Sequence, residues 1–269
     1  CVIIPAKNEA ENLQDLLPRL MASHPGVEVI VVNDGSTDDT ESVASQAGAT
    51  VVSHPYSKGN GAAVKTGIRH ATTEIIVLMD ADRQHDPSYV QTLLDRMNEG
   101  YDMVVGARNW KGQASVSRGL ANTFYNALAS WMVGHEVADL TSGFRAVRRA
   151  RLLPFLHLLP NGFSYPATST MAFFRAGFSV CYEPITVHRR EAGPSHISPL
   201  ADGMRFLLII FRIGTLYSPL KLFIPVSLTF CLTGLGYYLY TFVTAHRFTN
   251  MSALLLSVSV VIFFIGLVS

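Results

Sequence analysis

The stretch "EIIVLMDADRQHDP", residues 74–87, joins an apolar run to a dense polar turn. "EIIVLM" is apolar without alternation, the pattern of a strand buried on both faces. Asp80, Asp82 and Asp86 follow it, with Arg83, Gln84 and His85 among them. Carboxylates this close repel one another unless something offsets the charge. Two of them one residue apart, just past a strand, suit a shared divalent cation. Such a cation prefers hard oxygen ligands, and the amide oxygen of Gln84 offers a third. Asp86 reads differently: followed by Pro87, it is expected to cap a helix that begins there.

Upstream and downstream of this stretch the chain alternates. "CVIIPA", "VEVIVVND", "ATVVSH" and "YDMVVGAR" read as further strands. "EAENLQDLLPRLMA", "STDDTESVASQAG", "GAAVKTGIRHA" and "PSYVQTLLDRMNEG" read as helices, the first with Leu13, Leu16, Leu17 and Leu20 at helical spacing. Alternation of this kind predicts an α/β fold with a mostly parallel sheet and helices on both faces. Ligands of such sheets bind at the carboxyl ends of the strands. Pro5, Lys7, Asn8 and Glu9 follow the first strand, and Asn33, Asp34, Gly35 and Ser36 the second. Asp80, Asp82 and Gln84 follow the fourth, and Gly106 and Arg108 the fifth. The polar residues therefore converge on one edge. "GNGAAV", residues 59–64, is a poor dinucleotide fingerprint, and no Walker-type GKS or GKT occurs.

The C-terminal quarter is different in kind. Leu222–Ala245 and Met251–Ser269 carry no charge, and each is long enough for a transmembrane helix. Arg205, Arg212 and Lys221 precede the first run while Arg247 alone lies in the turn after it. That bias predicts a cytoplasmic N-terminal domain. Residues 200–216, "LADGMRFLLIIFRIGTL", read as an amphipathic helix at the membrane surface, packed on the N-terminal domain, or both. The expected organisation is thus a domain over 1–198, an interface helix over 199–217 and a helical hairpin over 218–269. The chain starts inside an apolar strand and stops inside an apolar helix, so it is expected to be trimmed at both ends.

A net charge of +1 speaks against a nucleic-acid binder held by bulk positive charge. Cys1, Cys181 and Cys231 show no paired spacing, which suggests neither a disulfide framework nor a zinc site.

Six segments, "IPAKNEAENL", "VVNDGSTDDT", "KGNGAAVKTG", "DADRQHDP", "DLTSGFRAV" and "RREAGPSH", occur in that order. Together they resemble the family 2 glycosyltransferases, most of all the polyprenyl-phosphate sugar synthases, and the resemblance spans residues 2 to about 198. It implies a GT-A fold, a UDP- or GDP-sugar donor, a polyprenyl (dolichyl or undecaprenyl) phosphate acceptor and inversion at the anomeric carbon. It implies that Pro5, Glu9, Asp34, Lys58 and Asp80 hold the nucleotide sugar. Asp80, Asp82 and Gln84 match the family's ligands for Mg2+ or Mn2+. Arg108, Arg118 and Arg190 match its phosphate-binding arginines. Ser195 and His196 fall where the family often has Ser-Lys, on the acceptor or diphosphate. Lys7 stands where the family often has tyrosine. Asp139 lies where some members place a base, and with a phosphate acceptor an orienting role is expected of it. Arg145 is left open between structure and phosphate binding.

The acceptor chemistry is self-consistent. A phosphate monoester has a second pKa of about 6, so it is largely ionised at neutral pH and is its own nucleophile. Positioned positive charge is what it needs, which arginine supplies. Two alternatives stay open on the sequence. A processive polysaccharide synthase shares the donor domain, but the expected Gln-x-x-Arg-Trp string is absent and Arg189-Arg190 is followed by Glu191. A non-catalytic membrane protein keeping the fold, such as a flippase or scaffold, sits poorly with the intact aspartates and arginines. Membrane lipid, and a second copy of the chain through the transmembrane helices, are the other expected partners.

Overall fold

The computed structural model describes residues 1–108, 116–162, 164–187 and 199–269; the side chains of 116–120, 199–203, 205, 206 and 217 lie outside that description. The chain divides into two units, Cys1–Phe206 and Leu207–Ser269.

The first unit is built on seven strands: β1 (Val2–Ala6), β2 (Val29–Asn33), β3 (Thr50–Ser53), β4 (Ile75–Leu78), β5 (Met103–Arg108), β6 (Arg145–Arg148) and β7 (Val180–Ile185). They form one sheet in the order β3-β2-β1-β4-β6-β5-β7. All pairings are parallel except those of β6, which runs antiparallel to both β4 and β5. Every residue of β1 and β2 is buried, as an apolar run between two helical layers requires. On one face, Leu13, Leu16, Leu17 and Leu20 of α1 (Ala10–Ser23) pack with α4 (Tyr89–Asn98) over Val2, Ile4 and Val31. On the other, α3 (Asn60–His70) and α7 (Tyr165–Arg175) cover Ile3, Ile30 and Val105. Gly67 lets α3 approach β1: a methyl group there would collide with Ile3 Cγ2. The short α2 (Thr40–Gln46) starts where Asp38 Oδ1 accepts from Thr40 N at 3.1 Å.

Two strands escape the apolar-run reading. β6, "RAVR", is short and bounded by arginines, and nothing local marks it as central. β7, "VCYEPI", contains Pro184, which an edge strand tolerates because its outward N–H needs no partner. The helix expected at Pro87 begins at Tyr89 instead. Asp86 closes a turn first, its Oδ1 accepting from Ser88 N at 2.9 Å and its carbonyl from Tyr89 N at 3.2 Å.

The antiparallel β6 positions the site. Because it runs against its neighbours, the segment leading into it, residues 139–144, enters at the edge where β4 and β5 end. Leu78 pairs with Arg145, and Gly106 N donates to Phe144 O at 3.0 Å.

Helix α5 (Val116–Val133) follows β5, the short α6 (Arg149–Leu152) follows β6, and α8 (Pro199–Tyr217) follows the reading of residues 200–216. Among its described side chains Met204, Leu208 and Phe211, one and two turns apart, are exposed.

In the second unit α9 (Pro219–Ala245) and α10 (Asn250–Val268) are both long and apolar enough to cross a bilayer. Their buried residues recur every seven positions: Ser227, Gly234 and Thr241 on α9, Ser252, Ser259 and Gly266 on α10. Small residues at heptad spacing let two backbones approach closely. At the centre each serine bonds the other's backbone, Ser227 Oγ to Ser259 O at 2.9 Å and Ser259 Oγ to Ser227 O at 2.8 Å.

Candidate functional site

The loops after β1 and β2 are stitched together. Asn8, at φ +55°, accepts at Oδ1 from Thr37 N at 2.8 Å, and its own N–H reaches Ser36 Oγ at 3.0 Å. Glu9 N donates to Thr40 Oγ1 at 3.0 Å, and Ala10 N to Asp38 Oδ2 at 3.2 Å. The "AKNEA" and "DGSTD" segments thus form one wall, with Pro5 buried in β1 beneath it.

Asp34 is committed within this wall. Its Oδ1 accepts from His54 Nδ1 at 2.7 Å and Lys58 N at 2.8 Å, and its Oδ2 from Ser57 Oγ at 2.7 Å and Gly59 N at 2.9 Å. Two donors on each oxygen fill the carboxylate's acceptor positions. Burial alone would raise its pKa, but His54, Lys58 N, Ser57 and Gly59 N together hold it below the usual carboxylate range. Asp34 therefore pins the loop carrying Lys58, whose ammonium lies 5.8 Å from the centre of the Tyr56 ring. His54 extends the tie to α3, its Nε2 being 2.9 Å from Thr66 Oγ1.

Past β4, Asp80 is half-buried at the centre of the edge. Burial first, then the Asp82 charge, pushes its pKa from 3.8 up to about 7; Glu9 adds to the rise, while Arg108 and Arg145 oppose it. Asp80 thus lies within the field of both Asp82 and Glu9. Gln84 is tied in through its backbone, its N–H donating to Asp82 Oδ1 at 3.2 Å. Between them Arg83 adopts φ +59°, a strained conformation of the kind that collects at functional loops. Among the described residues no three His, Cys, Asp or Glu side chains form a metal cage by themselves. An Asp80 carboxyl disfavoured as an anion by burial and then by Asp82 suits a cation whose remaining ligands come from outside the chain, as Mg2+ with substrate phosphates does.

Gly143 completes this floor. A methyl group on it would stand 2.6 Å from Asp80 Oδ2 and 3.1 Å from the Tyr165 hydroxyl. Tyr165, fully buried in α7, donates to Gly143 O at 3.2 Å. Neither residue is visible as a site residue in the sequence, because both arrive by tertiary closure.

Arg108 faces the acids from the end of β5. Its Nε donates to Asp139 Oδ2 at 2.8 Å, one terminal nitrogen to Asp139 Oδ1 at 2.9 Å, and that nitrogen also to Thr141 Oγ1. Asp139 accepts further from Thr141 N at 3.0 Å and Ser142 N at 3.1 Å. Burial would raise its pKa, but Arg108 and the backbone donors hold it below the usual range. A carboxylate so engaged orients Arg108 and is a poor proton acceptor. His85 stacks on Phe144 with ring centres 5.0 Å apart. Burial and then Arg108 push its pKa down to about 4, so it is neutral at physiological pH.

Arg145 takes the structural role. It is fully buried, and its guanidinium donates to Ser142 O, to Pro166 O at 3.1 Å, to Ser169 Oγ at 2.8 Å and to Thr170 Oγ1 at 3.0 Å, joining β6 to α7. Arg118 lies in the first turn of α5 with its side chain outside the described set, and Arg190, Ser195 and His196 fall outside the described residues altogether.

Comparison with known proteins agrees with this architecture. Residues 1–152 match Glycosyl transferase family 2, and residues 218–269 match the family described as GtrB C-terminal hairpin. A polyprenol monophosphomannose synthase of Mycolicibacterium smegmatis is 33% identical over 73% of this chain and 80% of its own length. Glycosyltransferase AglJ of Haloferax volcanii is 29% identical over 89% of the chain and 80% of its own. The fold is shared with a glucosyl-3-phosphoglycerate synthase from Mycobacterium tuberculosis, solved with Mn2+, UDP and glucosyl-3-phosphoglycerate, at a TM-score of 0.61, 24% identity and coverage of 79% and 78% of the two chains. The family match covers more than half of the residues and the mannose synthase is similar over most of both chains, so the chain belongs to glycosyl transferase family 2 and is a glycosyltransferase.

Proposed function

We propose that the chain moves one sugar from a UDP- or GDP-sugar to a polyprenyl phosphate at the cytoplasmic membrane face. The observation that carries this reading is the juxtaposition at one sheet edge of a mutually repelling acid pair, Asp80 and Asp82, with an arginine held on a carboxylate, Arg108 on Asp139. The acids suit a donor diphosphate with its divalent cation; the arginine suits an acceptor phosphate. Similarity to a polyprenol monophosphomannose synthase and to a dolichol-phosphate mannosyltransferase supports the lipid acceptor.

The Asn8–Glu9 wall and the loop pinned by Asp34 hold the nucleotide, with Lys58 near its phosphates. Asp34 acts by fixing that loop, since its carboxylate is filled by the chain's own donors. Asp80, Asp82 and Gln84 would hold a divalent cation, which would supply positive charge to the departing diphosphate. Arg108, with Arg118 and Arg190, places a phosphate oxygen of the lipid behind the anomeric carbon. The bond from that oxygen to carbon forms as the bond to the diphosphate breaks, so the configuration inverts. No side-chain base is needed: the lipid phosphate arrives ionised. The hairpin of α9 and α10 spans the bilayer, and α8 lies at its surface.

The test is product formation from purified protein, polyprenyl phosphate and Mg2+ or Mn2+, with a panel of UDP- and GDP-sugars and mass spectrometry of the lipid fraction. A lipid-linked sugar phosphate is the expected product. Polymer instead would support a polysaccharide synthase, and no turnover of any donor by folded protein would sink the reading.

Two further outcomes follow from the acid pair. With its pKa near 7 in the folded chain and 3.8 unfolded, Asp80 keeps a proton on folding across that window. The folded state binds more protons there, so stability without metal falls as pH rises from about 4 to about 7. Metal binding requires the ionised form. Adding Mn2+ with UDP is therefore expected to raise the melting temperature more at pH 8 than at pH 6; equal shifts would contradict it. Gly143→Ala is expected to displace the Asp80 carboxylate and weaken Mn2+-dependent UDP binding at least about tenfold by calorimetry, since the added carbon would stand 2.6 Å from Asp80 Oδ2 and one of the two must shift.

A further inference from the structure

The Asp139–Arg108 pair is itself held from outside. Asn126, in the second half of α5, donates from Nδ2 to Ala138 O at 2.6 Å and accepts at Oδ1 from Leu140 N at 3.0 Å. Those are the groups on either side of Asp139, so one side-chain amide clasps the chain around it as a neighbouring strand would. One turn on, Ser130 Oγ accepts from Val137 N at 2.9 Å and donates to Asn126 O at 2.7 Å. Asp139 projects from the middle of the clasp and accepts from two nitrogens along one edge of the Arg108 guanidinium. Arg108, Asn122, Asn126 and Asp139 line one cavity of about 230 Å3. Among the described residues Asn126 makes no hydrogen bond to the acids or to Arg108; its link to them runs through the backbone of residues 138–140.

We propose that Asn126 is a positioning residue for the acceptor phosphate: by clasping both sides of Asp139 it fixes the direction in which Arg108 presents its guanidinium. This rests on the reading of Arg108 as a phosphate ligand. The clasp ties the orientation of Arg108 to α5, the helix whose first turn carries Arg118. Arg108, at the end of β5, and Arg118, ten residues on, are thereby held in one frame. A bidentate carboxylate grip transmits orientation well because the planar fork of arginine has only one matching pose. Freed of the clasp, residues 138–140 shift and carry the guanidinium with them, and displacements of about 1 Å cost a well-aligned reaction up to roughly a hundredfold.

The experiment is a double-mutant cycle on the full chain in detergent or nanodiscs, using polyprenyl phosphate and the donor found active. Asn126→Leu keeps size and removes both bonds. It is expected to lower kcat for lipid transfer about tenfold, within the range such misplacement produces, while the KM for the donor stays within about twofold. In an Arg108→Lys background, which already lacks the fork, Asn126→Leu should cost less than about twofold more. Ser130→Ala loosens the same segment without touching the peptides flanking Asp139 and should leave kcat within about twofold. Should Asn126→Leu fold poorly, Asn126→Asp keeps the acceptor for Leu140 N, loses the donor to Ala138 O and should show the same kcat-only loss. Multiplicative losses in the cycle, equal losses for Ser130→Ala, or a rise in donor KM would each overturn the proposal. Full activity of Arg108→Lys would overturn the underlying reading of Arg108, a result distinct from any of these.

Discussion

Replacing Asp82 by alanine is expected to lower sugar transfer about a thousandfold, the scale of losing a group that stabilises charge where it develops. The same change should leave the fold intact or slightly firmer. Asp82 is half-buried and, after burial itself, is the leading cause of the raised Asp80 pKa. Removing its charge relieves Asp80, whose pKa should fall back toward 3.8. Activity and stability thus move in opposite directions, a combination that a folding defect cannot produce. Product analysis gives the first quantity and thermal melting the second. Mn2+-dependent UDP binding should vanish with activity; its survival in an inactive variant would place Asp82 elsewhere in the reaction.

Arg145→Met should have the largest effect on stability. Buried ions are often replaceable by apolar side chains when their partners leave with them. Here the partners stay: Ser142 O, Pro166 O, Ser169 Oγ and Thr170 Oγ1 all lose a donor. Stranding several buried acceptors costs about 3–5 kcal/mol. At about 2–4 °C per kcal/mol for a unit of this size, the melting temperature should drop by roughly 10 °C. Arg145→Lys keeps the charge but not the fork and should recover part of the loss. Without a cation at 145, Asp80 loses one of the two charges that oppose its protonation, so metal binding should require higher pH as well. A melting temperature within about 2 °C of wild type would refute the role given to Arg145.

The first five strands and their helices were legible because each is an apolar run with clear punctuation, and the two apolar helices because length and absence of charge suffice. β6 was not legible: its burial depends on Arg145 finding acceptors in α7, more than twenty residues on. Spacing alone brought Asp80 and Asp82 together. It did not reveal Gly143 and Tyr165, whose approach to Asp80 exists only once β6 and α7 are in place. Asp34 shows the opposite difficulty. Its motif marks it as important, but the donors that define its work, from His54 to Gly59, come from the next strand and loop.

The place of β6 also sets a timetable for synthesis. β4 and β5 are not neighbours; β6 separates them, and it lies 37 residues beyond the end of β5. A chain leaving the ribosome at about 5–20 residues per second therefore spends roughly 2–8 s with Ile75–Leu78 and Met103–Arg108 each lacking the strand that lies between them. Open apolar edges recruit foreign strands, so truncation before residue 145 should yield aggregating protein rather than a smaller domain. Gly143 and Arg145 arrive with the closing strand. The chain thus acquires the floor beneath Asp80 in the same event that seals its sheet, and a nascent fragment has no finished site to expose.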